Sequence, residues 1–162
     1  MLSTTELQER LKEIDLSYLK ETDPIKMQLW AKLAVLEVGG WTEECIDKII
    51  TDFVVLKNPP SKDKILERLK RIYGFHYNSD FRTIVVEIIG SILFDSIESK
   101  IDLQCQQLET ALTELKKSRD VSAHTYTKPT SSIDSPTKML DLLGKISIGL
   151  TAFNAELYEL PI

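Results

Sequence analysis

Histidine, cysteine, glycine and proline are all scarce in this chain, and each scarcity removes a class of protein. Two histidines, His76 and His124, cannot build a histidine-rich metal site, and there is no H-E-x-x-H. The two cysteines, Cys45 and Cys105, lie far apart without C-x-x-C or metal-ligand spacing, which fits reduced thiols in a cytosolic protein. Six glycines and six prolines in 162 residues argue for long regular elements over a loop-rich all-β fold. Phosphate-cradling loops of the G-x-x-x-x-G-K-[ST] or G-x-G-x-x-G type are missing.

No apolar run reaches the ~20 residues of a membrane span. The longest, IVVEIIGSILF, is broken by Glu87 and Ser91. The opening MLSTTELQER lacks the apolar core of a secretory leader, so the expected place is the cytoplasm, with no membrane partner. The net charge of −5 and pI near 5.1 give no global attraction to nucleic acid. Any RNA contact must come from a local basic patch.

What remains is helical patterning at a length suited to one domain over 1–162. Ser3 and Glu6 have capping-box spacing, and Leu7, Leu11, Ile14 and Tyr18 share a face. Asp23-Pro24 is a start signal for a second helix, with Ile25, Leu29, Trp30, Leu33 and Leu36 expected inward and an end at Gly39-Gly40. Thr42 is then the expected cap of a third helix lined by Ile46, Ile49, Ile50, Phe53 and Val54, ending at Asn58-Pro59-Pro60. Ser61 opens a shorter helix, GFHYNSD reads as a turn, and Phe81 to Ile97 reads as one long helix. Leu108, Leu112 and Leu115 continue helically. TKPTSSIDSPT is the clearest loop, and Ser135-Pro136 opens a last helix. The expectation is an all-α antiparallel bundle, a four-helix core with additional helices.

The chemistry rests on a short polar stretch, KKSRDVSAHTY at 116–126. A histidine exchanges protons near neutrality, and an arginine holds phosphate in a planar fork. Together they suffice for metal-free RNA cleavage, because RNA supplies its own 2′-hydroxyl nucleophile. The Arg-x4-His spacing of Arg119 and His124 recurs at Arg71 and His76, so spacing alone does not select a pair. Lys116, Lys117 and Lys128 surround only the first pair, and Tyr126 adds a hydroxyl. His76, beside Gly74 and Phe75, reads as a turn residue. On an ideal helix Arg119 and His124 lie about 140° apart, so one straight helix does not converge them. Either the helix tightens or ends near His124, or two copies share a cleft. The plain alternative is a solvated helix end, where Lys and Arg suit the helix dipole without further function.

The string RDVSAHTY near the C-terminal part of an all-α chain resembles the HEPN superfamily, in particular its toxin members and its RNase LS and phage-defence branch. LAVLEVGGWTEECIDKII at 33–50, with Trp41 and Glu43, looks like the Trp-Glu segment of the latter. The resemblance implies a homodimeric endoribonuclease without metal or other cofactor, acting on RNA as a toxin or defence effector beside an antitoxin or defence partner. His124 would be the general acid–base and Arg119 the phosphate holder. Asp120 would position Arg119, and Tyr126 would contact RNA or accept an inhibiting modification. The alternative is a non-catalytic HEPN-like module that binds nucleotide or protein. A third is a helical adaptor, marked by scattered cations and an exposed apolar patch.

Overall fold

A computed structural model describes residues 3–70, 74–124 and 133–161, and of His124 only the backbone. All regular structure among these residues is helical. The elements are α1 (Thr5–Lys20), α2 (Pro24–Lys57), α3 (Lys62–Leu69), a π-helical turn (Tyr77–Phe81), α4 (Arg82–Ile89), α5 (Ser91–Lys100), α6 (Asp102–His124) and α7 (Pro136–Tyr158). No helix among the described residues is long and apolar enough to cross a membrane.

The starts read from local chemistry form largely as expected. Asp23 accepts from the Ile25 N–H, and Ser135 from the Lys138 N–H, each followed by a proline in the first turn. The Ser3 capping box does not form. Thr4 occupies the cap position without a side-chain bond, and the Ser3 hydroxyl accepts from the Thr5 N–H at 3.2 Å instead.

Gly39-Gly40 does not end a helix, because α2 runs through it without interruption. Each helical glycine costs about 1 kcal/mol against alanine, but burial of the flanking face outweighs that. Val38, Gly39, Trp41, Thr42, Cys45 and Ile46 are all buried. A β-carbon on Gly39 would stand 3.7 Å from the Phe75 ring, so this glycine sits against the core. Thr42 is consequently not a cap. Its hydroxyl donates back to the Val38 carbonyl at 2.7 Å, a mid-helix role.

Gly90 does end a helix. It takes φ 82° and ψ 159°, and divides the expected Phe81–Ile97 helix into α4 and α5. An L-residue seldom reaches that conformation. Ile92 lies exposed on α5.

The core lies where α1, α2, α6 and α7 pack on one another. Leu7, Leu11 and Ile14 of α1 meet the α2 row Ala34, Val35, Val38 and Cys45 and the α7 row Met139, Leu142, Leu143, Ile146, Leu150 and Phe153 within one hydrophobic cluster. Where α6 crosses α7, a β-carbon on Gly149 would come within 2.6 Å of Leu108 Cβ, so the crossing depends on glycine. The short elements join through aromatic rings: Phe153 lies edge-on to Phe81 at 4.8 Å and against Phe94 at 5.5 Å. Buried Tyr77 donates its hydroxyl to Glu98 at 2.7 Å.

The expected inner face of the second helix is corrected. Ile25, Leu29, Leu33 and Leu36 are exposed, and Trp30 is half-buried. Ala31, Ala34, Val35 and Val38 face the core in their place. Small residues there let α1 and α7 approach closely.

Candidate nucleic-acid interface around Arg119

Arg119 rides on α6 one position beyond buried Ser118, so its stem leaves the core while its guanidinium reaches across to α2. There Nη1 donates to Glu43 Oε1 at 2.6 Å. The guanidinium also stands over the Phe75 ring, 5.5 Å from its centroid. Its side chain is 42% exposed, at the edge of a groove of about 330 Å³ lined by Gly74, Phe75, Asp80, Lys116, Asp120 and Ala123.

The opposite wall is built by the turn after α3. Asp80 accepts from the His76 N–H at 2.9 Å and from the Ser79 hydroxyl at 2.9 Å. His76 Nδ1 accepts in turn from the Ser79 N–H at 3.3 Å. His76 therefore caps the π-helical turn, as its place beside Gly74 suggested. Gly74 leaves room for the carboxylate, since a β-carbon there would sit 2.5 Å from Asp80 Oδ2. This turn fixes Phe75 under Arg119.

The other expected residues divide. Lys116 lines the Arg119 groove, but its ammonium pairs with Asp120 at 2.8 Å. Asp120 is thus engaged by Lys116, while Arg119 is held by Glu43. Lys117 borders a different cleft of about 430 Å³ between α6 and the start of α7, with Glu114, Ser118, Val121, Asp134 and Lys138. In that cleft the Ser118 hydroxyl meets the Asp134 carboxylate, and Lys138 pairs with Glu114 at 3.2 Å and Asp134 at 3.3 Å. The α6 backbone stays helical through residue 124, so positions 119 and 124 lie about 140° apart around that helix. Tyr126, Lys128 and Arg71 lie outside the described residues.

Glu43 was legible only through the Trp-Glu segment. Phe75 and Asp80 were not singled out, although the Gly74-to-Asp80 turn that carries them was. Trp41 is buried, donating its indole N–H to the Ser3 carbonyl at 3.3 Å, and so has a structural role. Comparison with protein-family models, with curated proteins and with solved structures finds no match to this chain.

Proposed function

We propose that the protein is a metal-independent endoribonuclease of HEPN type, a toxin or phage-defence effector that acts as a homodimer. Arg119 holds the scissile phosphate. His124 takes the 2′-hydroxyl proton, and the 2′-oxygen attacks the adjacent phosphorus while the 5′-oxygen of the next nucleotide leaves and is protonated. The observation that carries the reading is the placement of Arg119. Its guanidinium is aimed by Glu43 and Phe75 at the edge of an open groove, where a phosphate can exchange with the carboxylate. The separation of Arg119 and His124 around α6 favours a cleft completed by a second copy.

A second reading is supported by charge placement. The groove sets Glu43, Asp80 and Asp120 beside Lys116 and Arg119, and Lys117 faces elsewhere. Such dispersal, with an apolar row exposed on α2, favours a non-catalytic helical adaptor, a module that binds a partner protein.

Cleavage of total RNA by purified protein in EDTA, beside Arg119→Ala and His124→Ala, separates the two. Products ending in 2′,3′-cyclic phosphate that disappear in both variants are expected from the ribonuclease. Intact RNA with all three proteins folded and Tyr126 unmodified by mass supports the module.

A further inference from the structure

The first half of α2 presents two apolar faces. One is core. The other is Ile25, Leu29, Leu33 and Leu36, spaced by four, four and three, and exposed by 71, 58, 37 and 61%. Isolated surface leucines need no explanation, but a row of them on one helix face is an unpartnered seam. Leu29, Leu33 and Leu36 border a groove of about 480 Å³ completed by Trp30, Lys26, Lys32 and Glu21.

We propose that this groove docks an amphipathic helix of another protein, one whose apolar ridge is flanked by aspartate or glutamate. The apolar spacing is that of a helix–helix seam. The flanking chemistry follows from the rim. Lys26 and Lys32 both border the groove, and neither has an ion-pair partner among the described residues. Glu21, held at Oε1 by the Thr22 and Asp23 N–H groups at 3.0 and 3.1 Å, is the one carboxylate on the rim, so two lysines against one glutamate leave it net positive. Two cations beside an apolar groove call for carboxylates on whatever fills it.

A second copy is the poorer occupant. Seated two-fold about the middle of the row, it runs antiparallel and brings the two copies of Lys32 close together. The carboxylates closest in sequence, Glu21, Asp23 and Glu37, are already engaged, Asp23 by the Ile25 N–H at 2.9 Å and Glu37 by Arg10 at 2.6 Å. A flat bilayer does not fill a groove.

The test uses the whole chain and a displayed library of twenty-residue helical peptides, with leucines fixed at this spacing and flanks randomised. Selection on the wild type should enrich Asp and Glu at the flanks. Selection on Lys26→Glu/Lys32→Glu should shift to Lys and Arg. The best acidic peptide should bind Leu33→Asp at least tenfold more weakly, and Arg119→Ala as well as wild type, because docking is independent of RNA chemistry. All the substitutions are at exposed or half-exposed sites, and unchanged circular dichroism and melting establish that they fold. Absence of any enriched peptide, enrichment indifferent to charge, or undiminished binding to Leu33→Asp overturns the proposal. So does a two-copy mass in solution that Leu33→Asp reduces to one, which gives the groove to a second copy. Sedimentation with phosphatidylserine vesicles that Leu33→Asp abolishes overturns it in favour of a membrane.

Discussion

Glu43 and Arg119, 76 residues apart in sequence, meet at 2.6 Å and tie the middle of α2 to the last turns of α6. The pair is more than a third exposed on both sides. Such pairs contribute roughly 0–1 kcal/mol to stability, since solvent screens them and ordering two long side chains opposes them. Glu43→Gln should therefore leave the melting temperature nearly unchanged. On the proposed ribonuclease reading its consequence lies in RNA binding: a carboxylate that would compete with phosphate for the same fork is gone, while Phe75 still supports the guanidinium. Affinity for single-stranded RNA at low salt should rise by up to about fivefold, the equivalent of ~1 kcal/mol. Arg119→Ala should lose that binding. Equal affinity in wild type and both variants would separate Arg119 from RNA.

Gly40 tests the continuity of α2. A β-carbon there meets nothing within 4 Å, and the residue is helical. Gly40→Ala should stabilise the protein by about 0.5–1 kcal/mol, through helix propensity alone. A helix ending at Gly39-Gly40 would instead make alanine unfavourable. Denaturant midpoints at constant m-value distinguish the outcomes.

Gly39-Gly40 was expected to end a helix and Gly90 to lie within one, and the structure reverses both. Gly39-Gly40 is absorbed because the apolar face of α2 continues through it and Phe75 rests on Gly39. Gly90 breaks where its backbone turns to φ 82° and ψ 159°, ending α4 and opening α5. Caps such as Asp23 and Ser135 were legible because donor and acceptor lie within three residues. The buried face of α2 was not, because both its rows repeat at helical spacing and only the packing of α1, α6 and α7 selects between them. Arg119 could be singled out by its residue type and its basic neighbours. Its partners Glu43 and Phe75 are set by the crossing of distant segments, which spacing does not reveal.

Gly90 and Gly149 give opposite kinds of strain from the same substitution. Gly90→Ala places a β-carbon in open space but on a backbone that L-residues avoid, which costs about 1–3 kcal/mol. Gly149→Ala keeps a helical backbone but drives its β-carbon to 2.6 Å from Leu108 Cβ and 3.2 Å from the Gln104 carbonyl. Overpacking of that kind costs about 1–3 kcal/mol. Each variant should melt lower by roughly 2–4 °C per kcal/mol. Leu108→Gly removes the β-carbon that is met at 2.6 Å, so with Gly149→Ala it should lose less than the sum of the two single losses. Strict additivity would show that α6 and α7 do not meet there.

Tyr77 should make the protein sensitive to alkali. Burial, and then its hydrogen bond to Glu98, push the phenol well above its ordinary value near 10. Below that value the hydroxyl is protonated in both states, and its contribution is complete. Above it the unfolded chain releases a proton that the folded chain keeps, so stability falls as pH rises. The Cys105 thiol, raised chiefly by burial, acts in the same direction from its own lower starting value. Wild-type denaturation midpoints should hold to about pH 8.5 and then decline, steepening past about pH 10. Tyr77→Phe should start lower by roughly 1.5–3 kcal/mol, from the lost bond to a charged acceptor. Its decline past pH 10 should be shallower by up to about 1.4 kcal/mol per pH unit, the contribution of one proton. Parallel curves for the two proteins between pH 10 and 11 would mean that Tyr77 titrates in the folded state as it does in the unfolded chain, and that its bond to Glu98 does not hold the proton.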